Sequence, residues 1–157
     1  MNRFHAFILA FVVATSASAM DTPKPDPKDP EKKDAQLEAT RAAIARQDWT
    51  GAQALARQAV EGSPQSADAH NLYAYSMRKG PSPQMDLVFR HYNEALRIDP
   101  QHRAAREYLG EAYLMTGNVA KAKELLAELD RLCKAGCAEQ AELKRSISTF
   151  ERQHAAK

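Results

Sequence analysis

Compact side chains return along this chain at a near-constant interval, and that recurrence limits its fold more than any other feature. Ala59, Ala95 and Leu129 are 36 and 34 residues apart, and Ala52, Val88 and Ala122 repeat the spacing seven residues earlier. Small residues let two helices approach closely, whereas large ones push the axes apart. A period near 34 therefore predicts a series of similar helix–turn–helix units.

The sequence between these positions supports helices. Ala, Leu, Glu, Gln, Arg and Lys dominate, and these are the strong helix formers. Glycines are few, and β-branched residues are sparse beyond the first fifteen positions, which argues against a β-rich fold. Helical patterning predicts segments over about 34–46, 51–61, 66–79, 84–98, 102–115, 119–133 and 138–153. Pro64 and Pro100 stop the second and fourth, because proline cannot continue a helix and moves its predecessor out of the α region. Gly80-Pro81-Ser82-Pro83 breaks the third from the fourth, and Gly117-Asn118 suits a left-handed cap after the fifth. Such short connections require antiparallel neighbours, so the expected fold class is all-α, built from antiparallel helix pairs.

Residues 1–19 read as an address. Arg3 gives a positive start, Ala6 to Ala14 form an apolar run, and Ala17-Ser18-Ala19 fits a small-residue cleavage site, which together predict a signal peptide. The run is well short of the ~20 residues that cross a bilayer. Met20 follows the site rather than the cysteine that a lipid anchor needs, so the expected product is soluble and exported, without membrane insertion after cleavage. Losing Arg3 lowers the formal net charge from +2 to +1, which leaves no electrostatic footprint for nucleic acid. Residues 20–33 alternate four prolines with charges and read as an extended linker. The helical domain is expected over 34–154.

Tyr108-Leu109-Gly110-Glu111-Ala112-Tyr113, followed by Gly117, Ala122 and Leu126, resembles a nearly complete tetratricopeptide repeat. Tyr92, Ala95 and Asp99-Pro100 are similar to the second half of another, whose first half carries Asn71 and Leu72. A weaker first repeat rests on Trp49, Ala52, Ala59 and Pro64. The resemblance covers about three repeats, near 33–65, 66–102 and 103–136, and makes 138–153 a capping helix. It departs from the family pattern in Ala39-Thr40 replacing the leucine–glycine pair, in Tyr73 at a usually small position, and in Lys134 at a closing proline. The resemblance implies a superhelical solenoid with Leu72, Val88, Tyr92, Leu96, Leu109, Tyr113, Leu126 and Leu129 inside. Leu143, Ile147 and Phe150 would cover the end of the stack.

In such a stack the first helix of each pair lines the inner face. Helical spacing then assigns a partner-binding groove to Leu37, Arg41, His70, Ala74, Met77, Arg78, Glu107, Glu111 and Met115. Some family members grip a C-terminal carboxylate with a Lys, Asn and Arg cluster. Only Asn71 matches that set, with Leu37, Ala104 and Tyr108 elsewhere, so no carboxylate clamp is expected.

Cys133 and Cys137 carry the sharpest local signal. Side chains at i and i+4 on a helix hold their Cβ atoms about 5–6 Å apart, and a disulfide needs about 3.5–4.5 Å. The bond requires the helix to end between them, and Gly136 provides the break. Export favours a structural disulfide there, contributing about 2 kcal/mol. The alternative is a copper or thiol-redox carrier, with the pair holding Cu(I). Zinc would need two more ligands, and no histidine lies within ten residues. No nucleophile elbow, phosphate loop or His-Glu-x-x-His occurs. The expectation is a periplasmic scaffold binding a protein or peptide, without enzymatic activity, cofactor or metal. Self-association through the flank of the first repeat stays open.

Overall fold

A computed structural model describes residues 30–155 of the chain. The expected signal peptide and most of the expected linker lie outside the described residues. Among those residues the chain forms seven helices and no strand. They are α1 (Pro30–Ala45), α2 (Trp49–Gly62), α3 (Ala67–Lys79), α4 (Met85–Ile98), α5 (Arg103–Met115), α6 (Val119–Leu132) and α7 (Ala138–His154). α1 begins at Pro30, four residues before the expected start at Asp34. Proline is favoured in a first helical turn, where its missing N–H costs nothing, so Pro-Glu-Lys-Lys opens the helix instead of ending the linker.

Side-chain caps fix where most of the other helices start. Asp48 accepts from the Gly51 amide at 2.9 Å, Ser66 from Ala69 at 3.2 Å, Asn118 from Lys121 at 3.1 Å, and His102 Nδ1 from Ala105 at 3.2 Å. Each satisfies an amide that the helix itself cannot, at about 1 kcal/mol. The turns leaving α1 and α5 are built alike. Gln47 N–H donates to Ile44 O and Asp48 N–H to Ala43 O, just as Gly117 donates to Leu114 and Asn118 to Tyr113. Both turns need a left-handed residue, and Gln47 (φ 58°) occupies the place that glycine takes at Gly117 (φ 77°).

The helices pair as α1–α2, α3–α4 and α5–α6, stack in that order, and end with α7 against α5 and α6. Ala52, Ala56, Ala74, Ala95, Ala105, Ala112 and Ala122 are all fully buried, so the backbones meet with little between them. Val88, Tyr92, Leu109 and Leu129 are buried as expected. Leu72, Leu96, Tyr113 and Leu126 are only half-buried, and Leu125 takes the inner place expected of Leu126. Leu143 and Ile147 close the stack, with Phe150 half-buried beside them.

The cap depends on one glycine. A Cβ on Gly110 would stand 2.6 Å from Leu143 Cδ1 and 3.2 Å from its Cγ, and Leu143 is fully buried. Gly110→Ala should therefore cost about 1–3 kcal/mol through overpacking, and Leu143→Ala about 2–5 kcal/mol through the cavity it leaves. In urea unfolding the double variant should lose less than the sum of the two, because the new methyl enters the vacated space. Gln47→Gly should raise stability by about 1 kcal/mol in the same assay, since it removes a left-handed non-glycine residue.

Candidate functional site

The inner helices α1, α3 and α5 present their exposed edges side by side and enclose a cleft of about 400 Å³. Ile44 from α1, Leu72 and Tyr75 from α3, and Ala104 and Tyr108 from α5 form its apolar wall. The Tyr75 and Tyr108 rings lie 4.7 Å apart, tilted by 48°, and Trp49 approaches Tyr75 from α2 at 6.3 Å. A polar rim runs along one side. His102 Nδ1 accepts its helix cap, so Nε2 carries the proton and donates to Asp68 Oδ1 at 3.3 Å. Arg41 approaches Asp68 at 3.7 Å. The His102 hydrogen bond holds the Asp68 carboxyl below its ordinary value, against the effect of partial burial. A larger cleft of about 540 Å³ lies between α1, the end of α2 and the start of α3, lined in part by Lys33, Asp34 and Leu37.

Beneath the tyrosines lies a buried charged cluster. Arg78 Nη2 sits 2.7 Å from Glu111 Oε2, an ion pair without full hydrogen-bond alignment, and Arg78 Nε donates to the Tyr92 hydroxyl at 3.3 Å. The guanidinium also lies 5.4 Å and 5.7 Å from the centres of the Tyr75 and Tyr108 rings, within cation–π range. Ser146 of α7 donates to Glu111 at 3.2 Å. Arg78 thus ties α3 to α4 and α5, and Glu111 ties that group to the cap. Glu107, one turn earlier, is buried. Burial first, then the charges of Glu111, Glu139 and Glu142, push its carboxyl up to about 8. Burial likewise raises Tyr108, to about 12.

The residues that the sequence assigns to the groove separate into three groups. Arg41 is exposed on the inner wall and Leu37 half-exposed beside the larger cleft. His70, Ala74, Met77, Arg78 and Glu107 are buried, so they support the wall without offering contacts, and Glu111 is held in the cluster. Met115 is exposed, its sulfur 4.0 Å from Arg78 Nη1, and it also lines a second cleft with Leu114, Phe150 and His154. On α3 the cause is a one-residue error of register. Ser66 and His102 cap equivalent helices, which aligns Tyr73-Ala74, not Leu72-Tyr73, with Leu109-Gly110. One residue is about 100° of helix rotation, enough to turn a wall residue into the packing interface. Leu72 and Tyr75 were missed for that reason, and Ala104 and Tyr108 because α7 packs on the face of α5 that carries Glu107 and Glu111. The 36-residue step from Pro64-x5-His70 to Pro100-x5-Arg106 marks the correct alignment.

At the end of α6, Cys133 is the C-cap and Cys137 the N-cap of α7, with Cα atoms 5.6 Å apart and the two sulfurs in bonding contact. Gly136 (φ 85°) makes the turn between them, and its amide donates to Cys133 O at 2.7 Å. Among the described residues no helix is long and apolar enough to cross a membrane, and no three His, Cys, Asp or Glu side chains gather as a metal site.

Three known structures share this arrangement. The TPR2B domain of yeast Sti1, solved as a complex with pHsp70, superposes with a TM-score of 0.69 at 17% identity, covering 79% of this chain and 99% of that one. The Sgt2 TPR domain of Aspergillus fumigatus gives 0.67 at 24% identity, with 80% of each chain covered. The Yersinia enterocolitica type III secretion chaperone SycD, in complex with a peptide of the translocator YopD, gives 0.65 at 14%, covering 80% and 93%. No curated protein sequence matches. Two tetratricopeptide repeat models match residues 37–82 and 86–147, which together make up more than half of the chain. With three stacked helix pairs, small residues at their contacts and a capping helix, the chain belongs to the tetratricopeptide repeat family.

Proposed function

We propose that this protein is an exported adaptor that holds a peptide or helix of another protein in the cleft between α1, α3 and α5, and catalyses no reaction. The tyrosine-lined cleft carries this reading. Tyr75 and Tyr108 are held in place from below by Arg78, so they offer rigid amphipathic surface at little ordering cost. Asp68, His102 and Arg41 give the rim hydrogen-bonding groups that fix a bound chain's direction. The solved Sti1 and SycD complexes, each named with a bound partner, are in keeping with such a role. Export to the periplasm rests on the signal-like N-terminus and on the Cys133–Cys137 pair, whose geometry suits a disulfide. A copper carrier would need both thiols free, and a thiol-redox carrier would need the pair to open readily to two thiols.

Photo-cross-linking in periplasmic extract tests the groove. A cross-linker replacing Leu72 should capture a discrete partner, whereas one replacing Arg57 on α2 should not. Leu72→Glu should weaken capture at least about tenfold, the effect expected of a contact residue. Equal capture from both positions, or capture unchanged by Leu72→Glu, would remove the groove from the account. Met77 and Arg78 are unsuitable for this purpose, because both are buried and their substitution tests folding. A thiol count on the denatured, unreduced protein should find none free. Two free thiols would bring the copper or redox reading forward.

A further inference from the structure

The two histidines of the second helix pair meet head-on. His70 Nδ1 lies 2.8 Å from His91 Nδ1, and the ring centres are 5.1 Å apart with planes inclined by 26°. The centre separation exceeds the N···N distance by about one ring width, so the two nitrogens point straight at each other. His70 Nε2 lies 3.1 Å from the Pro64 carbonyl, which can only accept, so Nε2 carries a proton. Neutral His70 therefore presents a bare Nδ1, and His91 donates to it through Nδ1–H. The pair can take up one further proton and keep a single hydrogen between the rings. With both rings charged, two N–H bonds would oppose each other across 2.8 Å, and the rings must part.

The third pair has the same construction with the titration removed. Thirty-six residues after His70, Arg106 Nη2 donates to the Pro100 carbonyl at 2.8 Å, and its Nε donates to Glu128 on α6 at 2.7 Å. Arginine keeps its charge at any pH that a folded protein meets. His91 has Leu125 as its counterpart, and Glu94 has Glu128, by the 34-residue step between the caps of α4 and α6. Glu94 is engaged instead by Arg97, at 2.7 and 2.9 Å.

We propose that the His70–His91 pair is an acid-sensitive latch, which fastens α3 to α4 while at most one ring is charged and releases them when both are, loosening the second helix pair alone. The groups facing it are the Tyr73 ring at 4.7 Å from His91, the Pro64 carbonyl, and the charges of Arg90 and Glu94. Burial first, then the charges of His70 and Arg90, hold His91 below its ordinary value, with Glu94 opposing. The unfolded chain thus takes up protons before the folded one. Stability from the pair is complete above about pH 6.5 and is lost as pH falls below it. Glu107 acts in the opposite sense, since a raised carboxyl loses its stabilising effect as pH rises towards 8. A melting temperature would mix the two, so the test must resolve individual helices. α3 also carries Leu72 and Tyr75, so the latch reaches the wall of the groove.

Amide hydrogen exchange of the full chain at pH 7.5 and 5.5, corrected for intrinsic exchange, gives that resolution. Acidification should lower protection of α3 and α4 more than that of α5 and α6, by up to about tenfold, the ceiling for one histidine kept neutral one pH unit below its free value near 6.5. His91→Leu, which copies the third pair, should abolish this excess. Equal loss in both pairs, or an excess that survives His91→Leu, overturns the proposal. If that variant does not fold, imidazole nitrogen NMR of the wild-type chain at pH 7.5 decides. The latch requires His70 protonated at Nε2 and His91 at Nδ1, and finding both rings protonated at Nε2 overturns it.

Discussion

Close contact between helix backbones is the constraint on which the rest of this molecule depends. No helix pair here can bury its own apolar face, and the fold exists because fully buried alanines let successive pairs lie against each other. Ala52, Ala95 and Ala122 set that distance on the outer helices, and Ala74, Ala112 and Gly110 on the inner ones. Large residues are admitted where the small ones leave room, as Leu143 is beside Gly110 and Tyr92 is between α3 and α5. Each pair therefore depends on its neighbours, and the last depends on α7.

The same spacing leaves the inner edges of α1, α3 and α5 uncovered, which is how packing produces the cleft. The groove wall is made of residues that the stack does not need inside, and its rigidity comes from what lies beneath. Arg78 joins three helices through Glu111 and Tyr92 and supports two tyrosine faces, a larger role than a charged residue on an inner helix suggests. Removing it would leave Glu111 half-buried without its charge partner, a cost beyond the loss of the contact itself.

Much of this was legible in the residues. The period of the small side chains, the prolines at 64 and 100, and the Gly117-Asn118 turn indicated paired helices with nearly correct limits. The cysteine pair announced the break before α7. The rotation of α3 was not legible, because both Leu72-Tyr73 and Tyr73-Ala74 fit the repeat pattern and the Pro81-Pro83 insertion hides two residues of offset. The shared Pro64-x5-His70 and Pro100-x5-Arg106 spacing distinguishes them, but its meaning shows only once His70 and Arg106 are seen against those proline carbonyls. Likewise, periodicity cannot show that α7 packs on α5, so the burial of Glu107 and the tie from Glu111 to Ser146 were out of reach.

The rotation of α3 decides which side chains line the cleft, and methionine oxidation reads it directly. Met77 and Met115 are both unbranched thioethers on inner helices, 6% and 53% exposed. Under mild peroxide, with mass spectrometry of each peptide, Met115 should be oxidised at least about tenfold faster than Met77, since reactivity follows exposure. Equal rates would place Met77 on the open wall, and would mean that Leu72, Tyr75 and Tyr108 do not form the wall of the proposed groove.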